Sequence, residues 1–320
     1  MARSDLLIDM VEAELRGDKQ RFKALVEAVI AEERANQHHL VADRLSELIT
    51  TMGSSGLLAR DEAASRVSDL VLEVVPSRSL ASLHLRSAVR SAVDEVIEEH
   101  RRSDLLRSHG LEPRNRILLD GPPGNGKTSL AEAIATETML PFYVVRYEGV
   151  VSSFLGETAS RLDAVFEFAR TRRCVLFFDE FDSIAKERAD TNETGEIKRV
   201  VSTLLLQIDR LPAHVVVVCS TNHSELLDRA AWRRFQLRLE LDAPTRVEAT
   251  AFFEEMRTRL GGDLGLAPRT LADKLSGASY AELEQVAVDI RRRYVLALPD
   301  GDLARIARTR IEQWRTQAHP

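Results

Sequence analysis

The chain is poor in cysteine: Cys174 and Cys219 are its only two, and both sit inside apolar runs. Two lone thiols supply neither a disulfide framework nor metal-ligand spacing, so both are expected to be reduced core residues. A basic excess is also lacking. The 44 lysines and arginines stand against 50 aspartates and glutamates, a net charge of −6, which disfavours a nucleic-acid or anionic-membrane surface. No uninterrupted apolar run approaches the roughly 18 residues of a membrane span, and the opening MARSDLLIDMVEAEL lacks a secretory apolar core and cleavage site. The expectation is a cytoplasmic protein with no membrane among its partners and with nucleic acid disfavoured. Aromatics make up only 5% of the chain. Trp232 and Trp314 have no basic aromatic cluster around them and read as packing residues. His38 and His39 are adjacent on a helical pattern and face different directions, which argues against a shared metal.

What is present is an ordinary globular composition, 320 residues at 44% apolar, enough for two or three structural units. Residues 1–52 form an N-terminal helical unit by the spacing of Leu6, Leu7, Met10, Val11 and Leu15, then Phe22, Leu25, Val26, Val29 and Ile30. TMGSSG at 51–56 marks the boundary to a connecting segment, 53–79, within which DLVLEVVP reads as a short strand ended by Pro76. From 80 to 245, short apolar runs alternate with helical ones: RILLD (116–120), FYVVR (142–146), CVLFFDE (174–180), VVVVCST (215–221) and QLRLEL (236–241). Runs this continuously apolar predict an α/β domain with a five-stranded parallel sheet covered on both faces. After Pro244 the strand signals stop. Thr245 with Glu248, and Ser279 with Glu282, are capping boxes, and helices near 246–260, 268–276, 280–298 and 302–316 make a C-terminal helical unit, 246–320.

Three segments carry chemistry. Gly121, Gly126, Lys127 and Thr128 fit G-x-x-x-x-G-K-[ST] between a strand and a helix. Glycines let backbone N–H groups turn inward on a phosphate at a helix N-terminus. Lys127 then reaches the β- and γ-phosphates of ATP, and the Thr128 hydroxyl ligates Mg²⁺. The nucleotide-binding set is Gly121, Pro122, Pro123, Gly124, Asn125, Gly126, Lys127, Thr128, Ser129 and Asp179. VLFFDE ends a buried strand in Asp179 and Glu180, at the sheet edge where ligands bind. Asp179 holds Mg²⁺, largely through water, and Glu180 polarises water for attack on the γ-phosphate. Asn222, just past VVVVCST, is placed to orient that water or to touch the γ-phosphate.

In this order and spacing the segments resemble the AAA+ ATPases, and within them the classical AAA clade, over roughly residues 80–295. GPPGNGKTS looks like Walker A, CVLFFDE like Walker B and CSTNH like sensor 1. The resemblance implies strand order 5-1-4-3-2, a helical lid over the nucleotide, ATP hydrolysis and a homo-oligomer, usually a hexamer. LLDRAAWRRFQLRLEL looks like the arginine-finger segment, so that Arg233 or Arg234 points into a neighbouring subunit's site, with Arg234 before Phe235 the better match. SGASYAELEQVAVDI resembles the lid motif Ser-Gly-Ala-Asp-Leu, with Tyr280 and Glu282 in place of glycine and aspartate. SSFLGET looks like a pore loop with Phe154, Leu155 and Gly156 in the gripping positions, the alternative being that Phe154 anchors the following helix. ADTNETGEIKR at 189–199 resembles a second pore loop by position. The implied role is remodelling or threading of a protein substrate. Similarity to stand-alone bacterial AAA proteins implies a partnered role, with a subtilisin-like protease in phage defence as the example. The rival role is a regulatory switch that licenses a partner enzyme without threading, and a DNA remodeller ranks third.

Overall fold

The computed structural model describes residues 25–26, 28–30, 67, 69–146, 155–181, 204–224 and 232–318. The chain divides into two compact units, Met1–Arg66 and Val67–Pro320. In the first, the described residues are helical, with Val26, Val29 and Ile30 buried at helical spacing. The rest of the expected N-terminal helices, Phe154 and the 189–199 stretch lie outside the described residues.

The second unit is built on one six-stranded sheet: β1 (Val71–Val74), β2 (Arg116–Asp120), β3 (Phe142–Val145), β4 (Cys174–Phe178), β5 (Val215–Thr221) and β6 (Leu237–Glu240). Its order is β1-β3-β4-β5-β2-β6. The five parallel strands follow 5-1-4-3-2 when numbered among themselves, as the resemblance implied. A sixth strand joins these five, in the stretch DLVLEVVP that reads as a short strand. β1 runs antiparallel to β3, with Val71 opposite Val145, inside the stretch read mainly as a connection. Its weak signal has a physical cause: at the sheet edge the strand is only lightly covered, with Val71 buried on one face, Val74 half-buried on the other, and Leu72 and Glu73 exposed.

The central strands are apolar along their whole length because both faces are covered. Alternation sends Phe178, Leu176 and Cys219 to one face, against α4 (Leu155–Arg170) and the helical residues 204–209. Phe177, Val175 and Val218 go to the other face, against α1 (Ser87–Arg101) and α3 (Lys127–Thr138). A short α2 (Ser103–Ser108) follows α1. Beyond the sheet, α5 (Arg246–Arg259), α6 (Pro268–Lys274), α7 (Tyr280–Val295) and α8 (Leu303–Ala318) close round their own core of Phe253, Met256, Leu271, Leu283 and Ile290. Both expected capping boxes are formed, at Thr245 with Glu248 and at Ser279 with Glu282.

Candidate functional site

The sheet's carboxyl edge opens into a cleft of about 410 Å³, which the lid helices α5 and α7 wall on the far side. The loop after β2 forms its floor. Gly121 has φ 136°, and a Cβ there would lie 2.3 Å from the Leu241 carbonyl oxygen, so no other residue fits between β2 and the end of β6. Gly126, left-handed at φ 85°, caps α3 and aims its first amides at the cleft.

Lys127 is buried, and its Nζ donates to the Gly121 carbonyl at 2.6 Å, the Pro122 carbonyl at 2.9 Å and Asn222 Oδ1 at 2.7 Å. Asn222 at the end of β5 thus touches the loop cation directly, a contact between residues 95 apart in sequence that the sequence reading had not paired. Thr128 Oγ1 donates to Asp179 Oδ2 at 3.2 Å. The other oxygen of Asp179 accepts from the Ser220 hydroxyl and, at 3.0 Å, from the Glu180 N–H. Hydroxyl and carboxylate oxygens meeting at one point are hard donors that suit a divalent cation such as Mg²⁺, whereas among the described residues no group of three or more His, Cys, Asp or Glu could hold a metal.

Glu180 is exposed to the cleft and left-handed at φ 47°, a conformation few non-glycine residues adopt. Its N–H also donates to Ser220 Oγ at 3.3 Å, and the next N–H, of Phe181, donates to the Ser220 carbonyl at 2.7 Å. β5 therefore holds the backbone turn that presents this carboxylate, as expected of strain kept at a working site.

The opposite wall is aromatic, and most of it was not found from the sequence. His84, Phe252 and Tyr280 line the cleft. His84 stacks on Tyr280 at 5.8 Å and 18°, and each packs edge-on to Phe252, at 5.3 and 5.5 Å. His84 Nε2 lies 2.9 Å from Glu255 Oε2. Burial pushes the Tyr280 phenol up to about 12, so its ring stays neutral. Arg78 and an Arg259–Glu284 ion pair complete that side. Tyr280 had been noticed only as a departure from the lid motif, and His84 sits in a stretch with no signal of its own.

The remaining expected residues lie elsewhere. Arg233 is exposed, whereas Arg234 is half-buried, donates to the Leu205 carbonyl at 3.3 Å and pairs with Asp209, which also binds Arg116 at 3.0 Å. Leu155 and Gly156 open α4. Both cysteines are buried and unbridged; burial raises Cys174 to about 12 and Cys219 well above the usual thiol range, which makes them inert core groups. Among the described residues, no helix is long and apolar enough to cross a membrane.

Residues 117–243 match the family model of the ATPase family associated with various cellular activities, AAA. Across 302 residues the chain is 33% identical to an uncharacterized AAA family ATPase, y4kL, of Sinorhizobium fredii, covering 92% of this chain and 90% of that protein. It is 34% identical over 204 residues to the ATP-dependent zinc metalloprotease FtsH 1 of Symbiobacterium thermophilum, which covers 62% of this chain and 34% of that protein. The solved FIGL-1 AAA domain in complex with ADP shares the fold at a TM-score of 0.60 and 21% identity, over 82% of this chain and 97% of that one. A relative matched along nine-tenths of both chains, with a family model over the phosphate loop and sheet, establishes that this chain belongs to the AAA family of AAA+ ATPases.

Proposed function

We propose that the chain binds ATP with Mg²⁺ in the cleft between sheet and lid, hydrolyses it to ADP and phosphate, and uses the cycle to remodel protein substrates in a ring of its own copies. The observation that carries this is the convergence of Lys127, Thr128, Asp179, Glu180 and Asn222 on one end of the cleft. Thr128 and Asp179 are the residues that would hold Mg²⁺, which when bound neutralises charge on the phosphate oxygens. Lys127 exchanges its loop carbonyls for the β- and γ-phosphates. Asn222 keeps the ammonium aimed and contributes an amide beside the γ-phosphate. Glu180 takes a proton from water as the water oxygen bonds to the γ-phosphorus, and the bond from phosphorus to the bridging oxygen breaks to leave ADP.

The arginine turn supports an in-trans contribution, and the two arginines divide the work. Arg234, tied to Asp209, holds the turn; Arg233, exposed, is the one offered to a neighbour's phosphates. This inverts the preference drawn from the match before Phe235. Such a finger is worth about 10³–10⁵ in rate. A protein substrate fits the kinship with an ATP-dependent metalloprotease and the pore-loop pattern of Phe154, Leu155 and Gly156. A subtilisin-like protease as partner rests on the bacterial resemblance alone.

The test is Glu180→Gln, which should bind ATP, lose at least about a hundredfold in turnover and retain protein partners in a pull-down. Wild-type turnover would overturn the site assignment. Co-assembled Arg233→Ala and Lys127→Ala chains should regain part of the activity each lacks alone, and no recovery in demonstrated mixed rings would refute the in-trans finger. Phe154→Ala separates threading from a switch: full remodelling by a stable variant would leave the switch as the better account.

A further inference from the structure

The N-terminus of α7 is completed by the phosphate loop itself. A helix begins with N–H groups that have no partner in its own ladder. In α7 the first, of Tyr280, donates to Asn125 Oδ1 at 3.3 Å, and the second, of Ala281, donates to the Gly124 carbonyl at 3.0 Å. The third, of Glu282, donates to Ser279 Oγ at 3.4 Å. The contact is tight as well as polar, since a Cβ on Gly124 would lie 2.7 Å from Ser279 Oγ and 3.2 Å from the Ala281 Cβ. Whatever fixes Ser279 therefore fixes the loop.

Glu282 fixes Ser279, and α8 fixes Glu282. One carboxylate oxygen of Glu282 accepts from the Ser279 N–H at 2.7 Å and its hydroxyl at 2.8 Å. The other accepts from Trp314 Nε1–H on α8 at 3.2 Å. Trp314 is partly buried against the lid core. The lid motif that this segment resembles carries aspartate at the position of Glu282. An aspartate can still cap Ser279, but it is shorter by one C–C bond, about 1.5 Å, and cannot span to α8 at the same time.

We propose that Glu282 and Trp314 are positioning residues for the phosphate loop, through which the last helix, α8, sets nucleotide affinity. The proposal rests on the reading that nucleotide occupies the cleft. The chain of contacts runs from Trp314 to Glu282, to Ser279 with the first amides of α7, and to Gly124 and Asn125. Loss of the indole link leaves the helix cap intact but frees α7 to shift against the loop.

ADP affinity of the full chain, measured by calorimetry together with thermal melting, tests this. Trp314→Phe and Glu282→Asp should each weaken ADP by about three- to tenfold, the size of one ordinary hydrogen bond lost net. The double variant should be no worse than the weaker single one, because both changes break the same link. If the indole only packs the lid, Trp314→Phe will lower the melting temperature and leave ADP affinity untouched, which overturns the proposal, as would additive losses in the double variant. Trp232→Phe leaves Trp314 as the sole tryptophan; its emission should change on adding ADP, and an unchanged spectrum at saturation again overturns the proposal. Wild-type protein that binds no ADP defeats the reading of the cleft instead.

Discussion

The two walls of the cleft are built in opposite ways. The phosphate wall is polar and local: nine consecutive residues from Gly121 to Ser129, two adjacent carboxylates after β4 and one amide after β5, all held by backbone at strand ends. The opposite wall is aromatic and dispersed: His84 precedes α1, Phe252 lies on α5 and Tyr280 starts α7. A rigid sheet edge presents charge with little rearrangement, whereas a wall drawn from separate helices can open and close. On the proposed function, chemistry falls to the first wall and the response to nucleotide to the second.

Lys127→Ala attacks the first wall at its centre and should have the largest effect, loss of ATP and ADP binding by calorimetry, at least about a hundredfold. Normal ADP binding by that variant would erase the distinction. Gly124→Ala strikes where the walls touch. It puts a Cβ at φ 78° and 2.7 Å from Ser279 Oγ, so about tenfold weaker ADP binding is expected from strain of roughly 1–2 kcal/mol, with the lid more open to proteolysis.

Tyr280→Ala should act on the second wall only. It should cost ADP about two- to tenfold, the range of an aromatic stacking contact, and leave binding of inorganic triphosphate unchanged. An equal loss for both ligands would mean that the walls are not separable. The smallest effect should come from acid. Burial alone would raise Glu248 and Glu282, but the N–H and hydroxyl of each capped residue, with Arg86 or Trp314 added, hold both below their usual 4.5. Folding is then favoured above that value, and the contribution is lost as pH falls through the lowered one. Melting temperatures taken from about pH 6 to pH 3 should fall more steeply for wild type than for Glu248→Gln with Glu282→Gln.

The same contrast decides what was legible in the sequence. Central strands such as VVVVCST declare themselves because both of their faces are buried, and the phosphate loop does so because glycine, lysine and threonine must stand at fixed spacing. β1 left a weaker trace, since an edge strand of four residues needs few apolar side chains. His84 left none: one histidine gains its role only when a residue 196 positions later is folded against it. The Arg234–Asp209 pair is non-local in the same way, and it leaves Arg233 as the exposed arginine of that turn.

The burial of both thiols has a practical consequence. Cys174 and Cys219 lie wholly inside the sheet and stay protonated at neutral pH, so maleimide reagents should pass the native chain by. A single cysteine placed on exposed Leu296, and another on exposed Leu111, would then be the only reactive positions. A fluorophore pair attached there would report lid movement against the sheet directly, without first stripping the protein of its own sulfur.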